Sequence, residues 1–232
     1  MKSRLLLAPL VLFVLAAGPA RSGPAPAYYR YPAIHGERIV FSAEADLWIA
    51  PAQGGLARRL TSHVGNEYFA SFSPDGKGIA FSAQYDGNVD VYSVSAEGGE
   101  PRRLTWHPGR DEVIGWTPDG KDILFRTTRA DPLNWEVWRV PAAGGDPEPL
   151  PIGYATRLAV DPQTGQWAFN RSSQETATWK RYRGGTAAQI WVGSPGKADF
   201  RQVTTFAGSN GYPMWHGGRI WYLCDKGVTV NT

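Results

Sequence analysis

Cysteine is nearly absent from this sequence, and so are long runs of like charge. The 232 residues include one cysteine, so the chain can form neither an internal disulfide nor a zinc site built on several cysteines. Charged residues make up only 19% of the chain and are dispersed, which excludes a disordered acidic or basic tail. Beyond the first 27 residues no stretch shows apolar residues at helical spacing, which excludes a coiled coil.

The one long apolar run lies at the N-terminus and has the form of a signal peptide. A basic start at residues 1–4 precedes an apolar segment at 5–17, which is too short for a membrane span. Small residues then offer cleavage after Ala20 or Ala27. We therefore assign 1–27 as a signal helix and the remainder, 28–232, as the mature chain. A retained membrane anchor is the alternative, and this segment is the only expected contact with a membrane.

Removal of the leader also removes the excess of positive charge. Loss of Lys2, Arg4 and Arg21 takes the formal net charge from +3 to zero. A neutral mature chain lacks the electrostatic basis for binding nucleic acid, which is excluded as a partner. An exported chain without disulfides is more typical of the bacterial periplasm than of a eukaryotic secretory route, so we predict export to that compartment.

What the mature chain does contain is a repeat. The segment FSPDGKGIAF at 72–81 returns as WTPDGKDILF at 116–125 and as VDPQTGQWAF at 160–169, with an offset of 44 residues. Divergent copies end at 37–41 and begin at 215–222. Each of the first three complete copies continues with an aromatic strand, a Gly-Gly turn and a short closing strand. A period of about 40–45 residues with four strands is typical of propeller blades.

The predicted fold class is all-β, an incomplete β-propeller of about four and a half four-stranded blades. Pro-Asp-Gly turns would join the first and second strands, and Gly-Gly turns the third and fourth. The predicted blades span about 31–61, 66–105, 111–151 and 154–204, with the start of a fifth at 208–232.

One loop of the repeat is anomalous. From the aromatic residue of the second strand to that of the third, the spacing is 7, 11 and 13 residues in the first three blades but 22 in the fourth. The excess contains TWKRYRGGT at 178–186, which is rich in arginine and aromatic residues. Because a long, distinctive loop on a regular scaffold often carries function, this loop is the candidate functional segment. A structural plug is the alternative.

No catalytic group is indicated. His63 and His107 occupy equivalent positions two residues after a blade-ending threonine, so we interpret them as loop-packing residues. Cys224 has no neighbouring base in the sequence, and Asp75 and Asp119 lie in turns that aspartate caps. No Gly-x-Ser-x-Gly motif occurs. We expect no metal and no cofactor.

The repeat unit Ser-Pro-Asp-Gly-Lys-x-Ile-Ala-Phe resembles those of Tol-system, oligopeptidase and tricorn propellers. Two segments narrow the resemblance. Residues 31–41 with 46–48 look like the opening of the tricorn protease propeller. WKRYRGGT at 179–186, followed by QIW at 189–191, is similar to a Trp-Lys-x-Tyr-Arg-Gly-Gly-Thr segment in its fourth blade. The sequence therefore resembles the tricorn protease family from about residue 31 to residue 222.

The resemblance implies the N-terminal six-bladed propeller of a large serine peptidase that trims peptides. In that family the catalytic residues belong to later regions, so none is carried over to this chain. What is implied is a scaffold or channel for peptide entry or product exit, with Arg181 and Arg183 contacting peptide carboxylates. The implied partners are peptides and the remaining domains of the peptidase, which could form a homo-oligomer at full length.

Two alternatives remain open at the level of sequence. The first is a non-enzymatic periplasmic binding propeller of the Tol type. The second is the propeller of a prolyl-oligopeptidase-type peptidase, which would carry a serine elbow in a further region.

The chain by itself is expected to fold poorly, because an unclosed arc of blades leaves apolar faces and strand edges exposed. We predict aggregation of purified 28–232, visible as material in the void volume on size-exclusion chromatography. A monomer with one sharp thermal transition would contradict this expectation.

Overall fold

The computed structural model describes residues 28–171, 182–197 and 199–226, and in these ranges every helix or strand segment is a β-strand. The signal helix predicted for 1–27 lies outside the described residues. The strands are grouped by sheet as follows. The first sheet holds β1 (Arg30–His35), β2 (Arg38–Ala43), β3 (Asp46–Pro51) and β4 (Arg58–Arg59). The second holds β5 (Glu67–Phe72), β6 (Gly78–Ala83), β7 (Asp90–Ser95) and β8 (Arg102–Arg103). The third holds β9 (Asp111–Trp116), β10 (Asp122–Thr127), β11 (Glu136–Pro141) and β12 (Glu148–Tyr154). The fourth holds β13 (Arg157–Val160), β14 (Trp167–Arg171), β15 (Gln189–Gly193) and β16 (Arg201–Gln202). The fifth holds β17 (Asn210–His216) and β18 (Arg219–Cys224).

Each sheet is an antiparallel meander in which neighbours in sequence are neighbours in the sheet. The first strands of successive sheets also contact one another, β1 with β5, β5 with β9, β9 with β13, and β13 with β17. Sheets that meet through their first strands are arranged like the blades of a propeller, with those strands around the central channel. The predicted all-β propeller class is confirmed.

The aromatic positions of the repeat become cross-strand partners. Four pairs join the second and third strands of the four-stranded sheets: Phe41 with Trp48, Phe81 with Tyr92, Phe125 with Trp138, and Phe169 with Trp191. The spacing between the two aromatics therefore measures the length of the connecting loop. In each sheet the register is the same whatever that length, because the paired aromatic rings must share one face of the sheet.

The Pro-Asp-Gly segments form the turns that the sequence predicts. Asp75 Oδ1 accepts hydrogen bonds from the Ser73 hydroxyl at 2.6 Å and from the Lys77 N–H at 3.0 Å. The hydroxyl, followed by the N–H, holds the pKa of the Asp75 carboxyl below its usual value. Asp119 repeats this arrangement with Thr117 at 2.7 Å. The glycine of each turn has φ of +70°, a conformation that residues with a Cβ rarely adopt.

The core lies between the sheets. Strand β6 is buried at five of its six positions, and so is β10, so these strands are covered on both faces. Phe81, Phe125 and Phe169 are among the largest fully buried side chains, one in each of three successive sheets. Burial on both faces is what a blade between two other blades requires.

A buried threonine closes the outer part of three sheets. The Oγ1 atoms of Thr61, Thr105 and Thr204 accept hydrogen bonds from the N–H groups of the third strands, at Leu47, Val91 and Ile190, over 3.0 to 3.1 Å. The third sheet has Pro151 near this position, and its outer strand β12 runs for seven residues instead of two. The threonine thus substitutes for ladder hydrogen bonds where the fourth strand is short.

We predict that Thr204→Val destabilises the protein by about 1–3 kcal/mol, because it leaves the buried Ile190 N–H without an acceptor. Thr205→Val is the matched control, since Thr205 is the adjacent residue and is exposed. The measurement is the urea midpoint of the complete gene product, followed by tryptophan fluorescence. Equal midpoints for the two variants would contradict the role assigned to the threonine.

Candidate functional site

The innermost strands of three sheets carry an aromatic residue in a strained backbone conformation. Tyr31, Phe69 and Tyr212 have φ of 51°, 55° and 56°, respectively. Each lies where the pairing of the first strand with the second shifts register. A bulky residue in the left-handed region is rare, and such strain persists where the surrounding structure enforces it. Its recurrence at equivalent positions marks the inner edge of the sheets as the candidate site.

The rings of the first two sheets pack together at this edge. The centroid of Tyr31 is 4.5 Å from that of Phe69 and 6.2 Å from that of Tyr68. Tyr68 and Phe69 are adjacent in sequence, and their rings meet edge to face at 5.0 Å. The bulge is what brings both side chains of this pair to the same cluster, because consecutive residues of a regular strand point to opposite faces.

Two arginines from the third and fourth sheets lie over these rings. The Arg157 guanidinium carbon is 5.5 Å from the ring centroid of Phe69 and 5.2 Å from that of Tyr212. The Arg126 guanidinium carbon is 5.8 Å from Phe69 and 4.6 Å from Trp135. These distances are within the range of cation–π attraction. All five sheets therefore contribute a ring or a guanidinium to one cluster.

Arg126 is held in place by a buried carboxylate. Nε and Nη2 of Arg126 donate to Glu112 Oε2 at 2.8 and 2.6 Å, and Arg110 donates to Glu112 Oε1. Glu112 and Arg126 are both buried, so their charges must be paired to remain ionised. Two guanidinium groups surround one carboxylate, which leaves this part of the cluster with one net positive charge.

A cavity of about 990 Å³ opens beside the cluster. Its lining includes Tyr31, Phe69, Glu112 and Arg126, with Glu67 at the start of β5. The volume is at the upper end of the range for small-molecule sites, and an aromatic wall with a few charged groups is typical of such sites. The cavity can therefore accommodate several residues of a peptide.

Glu67 has a structural environment within that lining. Its carboxylate accepts from the Leu47 N–H at 2.9 Å and from the hydroxyls of Thr61 and Tyr85. Burial raises the pKa of Glu67 above its usual value, and it also raises the pKa of Tyr85. Because both oxygens accept hydrogen bonds from the neighbouring sheet strands and loops, Glu67 connects the first two sheets.

Of the two arginines that the sequence singles out, the structure describes one. Arg181 lies outside the described residues. Arg183 Nη1 donates to Asp225 Oδ2 at 3.0 Å, and its guanidinium carbon is 4.9 Å from the centroid of Phe206. Arg183 thus connects the fourth-sheet loop to the end of the fifth sheet, and its role in contacting peptides stays a prediction.

The histidines of the blade links pack within their loops, as expected. Nδ1 of His63 accepts from the Gly65 N–H at 3.0 Å, and Nδ1 of His107 accepts from the Gly109 N–H at 2.9 Å. Within 28–171, 182–197 and 199–226 no group of three or more His, Cys, Asp and Glu side chains could hold a metal ion. The same ranges contain no helix long and apolar enough to cross a membrane.

Sequence reasoning missed the cluster of aromatic rings and arginines at the inner edge of the sheets. The aromatic residues of the first strands are visible in the repeat, but β1 and β5 contain no glycine that would indicate a bulge. Of the three strands only β17 has one, Gly211, beside Tyr212. Arg157 lies at the start of β13 in a degraded copy of the repeat, where no motif distinguishes it. A comparison of first strands shows an aromatic at the same place in three copies, and that is the one signal available.

Comparison with known proteins identifies the fold and its relatives. A family model described as the tricorn protease N-terminal beta propeller domain matches residues 26–232. Tricorn protease homolog 1 of Streptomyces coelicolor is 38% identical over 204 residues, covering 87% of this chain and 19% of the relative. The crystal structure of the tricorn protease superposes with a TM-score of 0.76 at 30% identity, covering 87% of this chain and 20% of that one.

The chain thus spans about a fifth of the length of these relatives. The structure of TolB from Acinetobacter baumannii also matches, with a TM-score of 0.61 at 19% identity, covering 85% of this chain and 51% of that one. At this identity the second likeness shows the fold alone.

The strain at the bulges predicts an unusual order of stabilities. At Tyr212 we expect the Gly variant to be more stable than the Ala variant by about 1–2 kcal/mol, because only glycine adopts the left-handed conformation at no steric cost. Met214, in the same strand and without a positive φ, is the matched position. There the Gly variant should be less stable than the Ala variant by about 0.5–1 kcal/mol. Chemical denaturation of the four variants is the measurement, and the same order at both positions would disprove the strain.

Proposed function

We propose that this chain, which belongs to the family of tricorn protease N-terminal β-propeller domains, is the propeller of an exported tricorn-like serine peptidase. In this proposal the propeller is a scaffold and a channel for peptide entry or product exit. Catalysis takes place elsewhere in the polypeptide. The observation that carries the proposal is the cluster of Tyr31, Phe69, Tyr212 and Arg157 at the inner edges of the sheets.

The chemistry of the cluster suits an unfolded peptide. A peptide chain presents apolar side chains, amide dipoles and carboxylates in a sequence-dependent order. Aromatic faces bind apolar side chains with little specificity, and guanidinium groups bind carboxylates. A site that must pass many sequences needs contacts of this general kind rather than a set of oriented hydrogen bonds.

Several buried polar groups of the described residues are used in building the fold. Thr61, Thr105 and Thr204 bind strand N–H groups, and Glu67 binds the first sheet to the second. In this proposal the nucleophilic serine and its partner belong to other domains of the peptidase, as the resemblance implies. The partners in this proposal are peptides and those other domains.

The loop of the fourth sheet would supply a second contact. Arg181 and Arg183 are proposed to bind peptide carboxylates. The side chain of Arg183 is 39% exposed while it pairs with Asp225, and a guanidinium has five N–H donors, more than this pair uses. Export to the bacterial periplasm remains part of the proposal, and it depends on the leader at 1–27.

The test is peptide hydrolysis by the complete gene product. We expect it to cleave unstructured peptides of about ten residues and to be blocked by a serine-directed organophosphate. A complete gene product with no hydrolysis of any peptide in a random library would overturn the proposal, and so would hydrolysis that the organophosphate leaves unchanged.

A further inference from the structure

Three buried polar residues occupy the same place in the repeat, at the start of a first strand and at the seam with the preceding sheet. Their N–H groups each donate to a carbonyl beside the third strand of that sheet, over 2.8–2.9 Å: Glu67 to Ala45, Asp111 to Val89, and Asn210 to Ala188. The side chains differ although the backbone contacts are the same. The three seams can therefore be compared by the charge that each one buries.

Two of these seams bury no unpaired charge at this position. Between the second and third sheets, Asp111 Oδ2 pairs with Arg129 Nη2 at 2.6 Å. Between the fourth and fifth sheets the side chain is a neutral amide, and Asn210 Nδ2 donates to Gln189 Oε1 at 3.2 Å. A buried carboxylate is tolerated beside a cation, and an amide has no charge to bury.

Glu67 has no cation beside it at the seam between the first and second sheets. The side chain that corresponds to Arg129 is Tyr85, since each follows the buried phenylalanine of its second strand by four residues. The Glu67 oxygens accept from the Leu47 N–H and from the hydroxyls of Thr61 and Tyr85, and no arginine or lysine of the described ranges pairs with Glu67. An ionised Glu67 therefore buries its charge among neutral groups.

The other charged and titratable groups around Glu67 have partners of their own or are exposed. They are Asp46 with Arg59 on the first sheet, His63 stacked on Tyr85 at 3.8 Å between ring centroids, Glu112 with Arg110 and Arg126 on the cavity side, and the exposed Arg30 and Glu44. Burial raises the pKa of Glu67, Asp46 adds to the increase, and the three hydrogen bonds partly oppose it.

The neutral form of Glu67 satisfies the same contacts. Its O–H would donate to the Tyr85 hydroxyl oxygen, and its carbonyl oxygen would accept from the Leu47 N–H and the Thr61 hydroxyl. Because burial makes ionisation harder, the pKa of Glu67 is higher in the folded state than in the unfolded chain. The stability that the seam gains from the neutral form is complete below the unfolded pKa and is lost as the pH rises through the folded pKa.

We propose that Glu67 is a pH-sensitive switch at the seam between the first and second sheets. Its neutral form docks the first sheet on the second, and its deprotonation loosens the first sheet. The strands that respond are β1, β2 and β3, because all three pack against β5, which begins at Glu67. The switch operates without a peptide, so it is independent of the proposed function.

The test is hydrogen–deuterium exchange of the complete gene product, followed by mass spectrometry at about pH 5 and about pH 8 and corrected for the intrinsic effect of pH on exchange. Peptides that cover β2 and β3 should exchange about fivefold faster at the higher pH, because the first sheet opens more often. In Glu67→Gln, which keeps the shape of the neutral form, the two rates should agree within about twofold.

Two controls separate the switch from a general effect of pH. Exchange in β15, at the seam of Asn210, should stay within about twofold between the two conditions. Glu97→Gln removes an exposed carboxylate that pairs with Arg38 across the same seam as Glu67, and it should keep the fivefold change of the wild type.

Three results would overturn the switch. The first is a wild type whose β2 and β3 exchange equally at both pH values, or whose β15 changes as much as they do. The second is a Glu67→Gln variant that keeps the pH dependence of the wild type. The third is fast exchange of the first sheet in Glu67→Gln at about pH 5, since a neutral side chain would then fail to dock that sheet.

Discussion

Burial of both faces of the middle sheets is the constraint on which this structure depends. Strands β6 and β10 are buried at five of six positions, so neither sheet has a face that water can cover. A sheet of this kind is stable only between two others, and repetition around an axis is the way to give each sheet two neighbours without leaving long edges exposed. The channel exists because the first strands must then surround that axis.

The seams between sheets repeat with the same period as the sequence. Arg58 donates to the Ala96 carbonyl of the next sheet at 3.4 Å, and Arg102, which lies 44 residues later, donates to that of Ala142. The buried Asp111 of the third sheet lies at such a boundary, where its N–H donates to the Val89 carbonyl next to the second sheet at 2.9 Å. Desolvation raises the pKa of Asp111, while Arg129 pairs with it at 2.6 Å. At the inner edges, bulges interrupt the pairing of the first and second strands, and aromatic and arginine side chains of different sheets meet there.

Much of the fold could be predicted from the sequence, because the repeat has a direct physical meaning. The offset of 44 residues predicted the sheets, and the aromatics at Phe81 and Tyr92 became a cross-strand pair. The Asp75 turn followed from Pro, Asp and Gly at fixed spacing. The cluster of aromatic rings and arginines at the inner edge could not be predicted in this way. The left-handed backbone conformation of Phe69 results from packing against other sheets. The contact of Arg157 with rings on two other sheets depends on how the sheets are placed around the axis, which no local pattern encodes.

The central claim is that the inner edges of the sheets surround a channel and that Arg157 bridges it between Phe69 and Tyr212. The most direct measurement is an experimental structure of the complete gene product, by crystallography or electron cryo-microscopy. The account predicts a closed ring of blades with the Arg157 guanidinium within about 6 Å of both ring centroids. A ring in which the two aromatic side chains turn away from the axis and Arg157 contacts neither would contradict it.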